Sequence, residues 1–137
     1  MRLRSKAREV ALCLLYQIEM SKSDFRETIH NHFEYEPVQK EISDFASLLI
    51  EGVITNLKDI DSLIKKHVKN WGIERMAVID RNILRMSCFE LLFLEDIPPK
   101  VSINEGIELA KRFGDIDSPR FVNGILDKIY KIECKKD

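Results

Sequence analysis

Residues 76–94 read MAVIDRNILRMSCFELLFL. Val78, Ile79, Ile83, Leu84, Met86, Cys88, Phe89, Leu91, Leu92 and Phe93 put apolar side chains almost all round a helix wound at 3.6 residues per turn. A helix apolar on most sides must be covered on several faces, so this segment is predicted to be the central helix of a helical protein. Asp80, Arg81, Arg85 and Glu90 interrupt it. Arg81 and Arg85 stand one turn apart, which suggests a structural ion-pair network rather than a ligand site. Asp96-Ile97-Pro98-Pro99 stops the helix, because proline cannot continue the ladder and restricts its predecessor.

The rest of the chain repeats the helical pattern on both sides. Ala7, Val10, Ala11, Leu14, Leu15 and Ile18 form one stripe of a helix over about residues 5–20. Ser23-Asp24 caps a second helix, with Glu27 completing a capping-box pattern, and Pro37 precedes a third. That third helix places Ile42, Phe45, Ala46, Leu49 and Val53 on one face, and a shorter fourth carries Ile60, Leu63, Ile64 and Val68. Asn70-Trp71-Gly72 reads as the boundary between an N-terminal half (about 1–69) and a C-terminal half (about 70–137) of a single domain. Beyond the central helix, Ser102-Ile103-Asn104-Glu105 reads as a capping box opening a sixth helix that ends near Gly114. Ser118-Pro119 supplies an N-cap and a first-turn proline for the last helix. Its apolar face is Ile125, Ile129 and Ile132, with Phe121 or Val122 above them. No strand-like alternation occurs, so the fold class is all-α with about seven helices.

Within that last helix, Phe121-Val122-Asn123-Gly124-Ile125-Leu126-Asp127 sets an Asn and a Gly in the helix interior. Glycine there costs about 1 kcal/mol relative to alanine. Such a penalty in a well-formed amphipathic helix points to close packing or to an exposed contact surface.

Composition narrows the functional classes. The chain has 137 residues, a formal charge of −1 and a pI near 6.3, so nucleic-acid binding requires a local basic patch rather than a whole-molecule field. The three cysteines (Cys13, Cys88, Cys134) form neither a zinc pattern nor a secreted disulfide framework. Cys13 and Cys88 are expected to fill core space. No run of 18 apolar residues and no signal-peptide h-region are present, so the chain is expected to be cytoplasmic, with no membrane association. GxSxG, HExxH, P-loop and GxGxxG arrangements are missing, and an enzyme is not expected. No cofactor or metal is expected either; His30 and His32, two apart, face different sides of a helix.

Two regions suggest RNA. Arg2, Arg4, Lys6 and Arg8 crowd a helix start, where cations oppose the macrodipole. They are either a solvated frayed end or a flexible cationic arm that clamps RNA phosphates. On a continuous helix, Arg2/Lys6 and Arg4/Arg8 would lie on nearly opposite sides. The second region is Lys111-Arg112 at the end of the sixth helix, followed by Asp115, Asp117, Arg120 and Phe121. That mix supplies cations for phosphates, an aromatic plane for stacking and polar groups for base edges. Lys65, Lys66, His67 and Lys69 are adequately explained as a solvated helix C-terminus.

Four ordered blocks resemble the bacterial NusB family. They are Arg4-x-x-Ala7-Arg8-Glu9-x-Ala11-x-x-x-Leu15-Tyr16-Gln17; Trp71 with Asp80-Arg81-Asn82-x-Leu84-Arg85-x-x-x-x-Glu90-Leu91; Ile103-Asn104-Glu105-x-Ile107-Glu108-Leu109-Ala110-Lys111; and Phe121 to Asp127. Residues 21–40 carry no match. The resemblance implies the NusB fold, two roughly perpendicular three-helix bundles with an additional helix. It also implies a transcription antitermination factor that binds single-stranded boxA RNA together with the ribosomal protein NusE. The pair would join other antitermination factors on RNA polymerase, notably during ribosomal RNA synthesis. By the same resemblance the RNA-binding residues would be Arg2, Arg4, Lys6, Arg8, Lys111, Arg112, Asp117, Arg120, Phe121 and Asn123. The alternative is a helical protein-interaction adaptor or homodimer with little intrinsic RNA binding. A fused RNA methyltransferase, found with this fold elsewhere, is not expected, since the sequence stops at Asp137.

Overall fold

The computed structural model describes residues 2–68 and 72–136. Asn70, Trp71 and Lys69, which figured in the boundary and in the fourth helix's basic cluster, lie outside the described residues. Among the described residues there are seven α-helices and no strand: α1 (Leu3–Ser21), α2 (Phe25–Tyr35), α3 (Lys40–Thr55), α4 (Leu57–His67), α5 (Val78–Phe93), α6 (Pro99–Phe113) and α7 (Ser118–Glu133), with a single 3₁₀ turn at Ile73–Arg75. No described helix is long and apolar enough to cross a membrane.

The chain forms two compact units that divide between Thr55 and Asn56. In the first, α1 and α3 face each other through Ala7, Ala11, Leu14, Leu15 and Ile18 against Ile42, Phe45, Ala46, Leu49 and Val53, all buried. The alanines at positions 7, 11 and 46 are fully buried and let the two backbones approach. α2 packs more lightly on the same pair and buries only Thr28. Its start is as read: the Asp24 side chain accepts from the Arg26 backbone N–H at 3.2 Å.

In the second unit α5 is central, packed by α4, α6 and α7. Ten of its residues are buried, Asp80, Asn82 and Glu90 among them. α4 sits with this unit because Ile60 and Ile64, both buried, face α5 and α7. The seam therefore falls ahead of α4 rather than at the Asn70-Trp71-Gly72 break. Arg85 clamps α4 to α5 with a two-pronged ion pair to Asp61, at 2.8 and 2.9 Å. It also donates to Asn82 Oδ1 at 3.2 Å, while Arg81 donates to the Met76 carbonyl at 2.8 Å. Gly106 allows α6 to touch its neighbours: a Cβ there would lie 2.7 Å from Ser87 Oγ and 3.1 Å from a Leu126 methyl.

Several local expectations need correction. α6 begins at Pro99, not at Ser102. Proline at N1 lacks a donor the helix start does not use, so Pro98-Pro99 both ends one segment and opens the next. Ser102 is buried and donates instead to Glu90 Oε1 at 2.8 Å, which satisfies a carboxylate inside the core. Cys88 is buried but Cys13 is exposed, because position 13 points away from the stripe formed by residues 11, 14, 15 and 18. Ile132 is 64% exposed, and Val122 and Leu126 complete the α7 core face in its place. The cluster closing α4 is not simply solvated. His67 is buried, and its Nε2 and the Lys66 ammonium both reach Glu133 Oε2 on α7, at 2.9 and 2.8 Å. Those two hydrogen bonds hold the Glu133 carboxyl below its ordinary value.

Candidate nucleic-acid interface

The second unit contains an open cleft of about 760 Å³. Its lining comes from the end of α4, the 3₁₀ turn and the first turn of α5, the loop after α6 and the first three turns of α7, with Asp80, Asp115, Asp117, Ser118 and Phe121 contributing. The local sequence explains this gathering. Gly114 ends α6 with an extended backbone and no room for a side chain, since a Cβ would lie 2.5 Å from Ser118 Oγ. Ser118 Oγ in turn receives the Asp115 N–H at 3.0 Å and donates to Asp115 Oδ1 at 3.2 Å. The turn into α7 is thereby closed on itself, and the helix begins at Ser118 with Asp117, not Ser118 as expected, at the N-cap and Pro119 in its first turn, because the Ser118 hydroxyl is engaged with Asp115.

Asp80 is the most informative group in the cleft. It is only 9% exposed, and its Oδ1 has no hydrogen-bond partner. Burial first, then the nearby Asp115 charge, raise its pKa above the ordinary carboxylate value, partly countered by the Ser118 hydroxyl nearby. A buried acceptor left unmatched costs the protein stability unless something supplies a donor. Phe121 is half-buried and presents an aromatic ring on the same wall, and Arg75 and Lys128 add cations at its edge. Three carboxylates line the cleft, so a phosphate would be repelled from its floor. The amino or imino edge of a base, stacked on an aromatic ring, fits that floor, with the phosphates held at the cationic edge.

The residues expected from sequence are distributed unequally. Asp117 and Phe121 line the cleft; Arg120 and Asn123 are exposed on α7; Lys111 and Arg112 are exposed on the last turn of α6. Lys111 lies 3.5 Å from Glu108, and Arg112 stacks near Phe113 at 5.7 Å. Arg2, Arg4, Lys6 and Arg8 belong to the first unit, in helical register from Leu3 onward with Arg2 as the N-cap. They are not four equivalent cations. Arg2, Arg4 and Lys6 are exposed, whereas Arg8 is 3% exposed; Arg4 and Arg8 lie over the Phe45 ring at 4.6 and 5.3 Å. Asp80, Arg75 and Lys128 were missed. Asp80 was readable only as a helical acid, because Ser118, which lines the same cleft, lies 38 positions further along the sequence.

Fold and cleft together define an all-helical protein with a mixed-charge cleft suited to a polyanion that also offers bases. The sequence matches the NusB family over residues 5–131. It is 44% identical to the transcription antitermination protein NusB of Trichlorobacter lovleyi over 100% of this chain and 95% of that one. It is 46% identical to the NusB of Syntrophus aciditrophicus over 100% of this chain and 86% of that one. Among solved structures, T. maritima NusB superposes with a TM-score of 0.89 at 39% identity, covering 96% of this chain and 92% of that one. A structure of the antitermination factors NusB and NusE in complex with double-stranded RNA is similar at a TM-score of 0.86 and 31% identity, covering 96% and 98%. The chain belongs to the NusB family.

Proposed function

We propose that this protein is a transcription antitermination factor of the cytoplasm that binds single-stranded boxA RNA jointly with NusE. The pair then joins other antitermination factors on RNA polymerase, notably during ribosomal RNA synthesis. Family membership supports the role, and the solved complex of a similar NusB with NusE and RNA supports the partners. The observation that carries the site is the buried Asp80 Oδ1, without a hydrogen-bond partner, beside the Phe121 ring in an open cleft. A base entering the cleft meets the Phe121 ring as a stacking face and the Asp80 carboxyl as an acidic neighbour. Asp117 and Asn123 add polar contacts, while Arg120, Lys111 and Arg112, with the exposed Arg2, Arg4 and Lys6, offer phosphate contacts.

Fluorescence anisotropy of a labelled boxA strand, titrated at two salt concentrations with and without NusE, tests this reading. Binding should tighten with NusE, weaken with salt and resist competition by a duplex of the same sequence. Equal competition by the duplex would replace base reading by shape recognition. The absence of RNA binding in every condition would reject the proposal.

A further inference from the structure

Glycines in folded helices have three common explanations, and Gly124 escapes all of them. It lies in the interior of α7, so it is not a C-cap. No described glycine has a positive φ, so no left-handed backbone demands it. A Cβ added there would meet nothing within 4 Å, in contrast to the crowded sites at Gly106 and Gly114. The position is exposed, and alanine would suit the free protein better.

We infer that Gly124 keeps a dent in the exposed face of α7 in which the sugar–phosphate backbone of bound single-stranded RNA rests. The inference rests on the RNA-binding reading of the adjacent cleft. Gly124 follows Phe121 by three residues and precedes Lys128 by four, and both of those line the cleft, so the dent is continuous with its rim. The surroundings are charged rather than apolar. Arg120 and Lys128 are exposed one turn to either side, and Asp127 is answered by Lys131 at 3.0 Å. Cations around a missing side chain suit a phosphate strand approaching main chain; a protein partner docking closely would call for apolar neighbours.

The test exploits opposite signs. Gly124→Ala and Gly124→Leu should both raise Tm, by roughly 3–5 °C, since each improves helix propensity and has open space. Both should weaken binding of the labelled boxA strand in the presence of NusE, Gly124→Leu by on the order of tenfold, as the side chain holds the phosphates off. NusE affinity measured without RNA should not change. Unchanged RNA affinity in stabilised variants overturns the inference while leaving the cleft reading intact. Loss of NusE binding alone assigns the dent to the protein partner and also overturns it. Failure of the wild-type protein to bind RNA at all removes the reading beneath it.

Discussion

Asp80 pits stability against binding within one side chain. Its carboxyl is raised above the ordinary carboxylate value of about 4, so the folded state holds the proton more tightly than the unfolded chain does. Its contribution to stability therefore worsens as pH rises from about 4, and the penalty is complete once pH has passed the raised folded value. Asp80→Asn should be more stable than wild type at pH 7, with the gap closing as pH falls toward 4, and should bind RNA more weakly. Thermal melts at several pH values decide the first half: a gap independent of pH would mean that the charge is not the cause. Arg8 makes the opposite case. At 3% exposure, with its guanidinium over the Phe45 ring at 5.3 Å, it is packed into the first unit despite standing in a row of cations. Arg8→Ala should cost about 1–3 kcal/mol, whereas Arg2→Ala should leave stability unchanged and act only on RNA affinity. Urea denaturation separates them, and equal midpoints for the two variants would refute the distinction.

The helices show where local chemistry is readable and where it is not. Apolar periodicity located α1, α3, α4, α5 and α7, capping signals located α2 and α6, and Asp24 capped α2 as its side chain suggests. The start of α6 was misread because two valid signals overlapped: a capping box at Ser102 and a proline pair three residues earlier. The prolines prevail, since Ser102 faces the core and its hydroxyl is needed by Glu90, a relation between helices that no window along the sequence reveals. The end of α1 holds a different surprise. Lys22 adopts the left-handed conformation (φ 55°, ψ 36°), alone among the described non-glycine residues. That C-cap geometry is commonly supplied by glycine. Lys22→Gly should stabilise the protein by about 0.5–1 kcal/mol, because it removes the Cβ clash. A lower melting temperature in that variant would show that the exposed Lys22 side chain makes a contact worth more than the strain.

At the scale of the molecule, the all-α class and the central place of α5 were legible because both follow from the periodicity and extent of apolar residues. The cleft was legible only in part. Asp117 and Phe121 stand in one short stretch of sequence, but Asp80 reaches them only because α5 and α7 pack together, and Arg75 joins them from the 3₁₀ turn ahead of α5. The break at Asn70-Trp71-Gly72 marked a change in composition, whereas the compact units are set by which apolar faces meet, and α4 meets α5 and α7.

Packing is also uneven within the first unit. α1 and α3 bury seven residues each, while α2 buries one. Little free energy then opposes detachment of residues 25–35 while the α1–α3 pair stays closed. In deuterated buffer the amides of α2 should exchange well before those of α1 and α3, and matching protection across the three helices would contradict this. A helix so loosely tethered gives the molecule a built-in weak point, where a protease finds extended chain long before the core has opened.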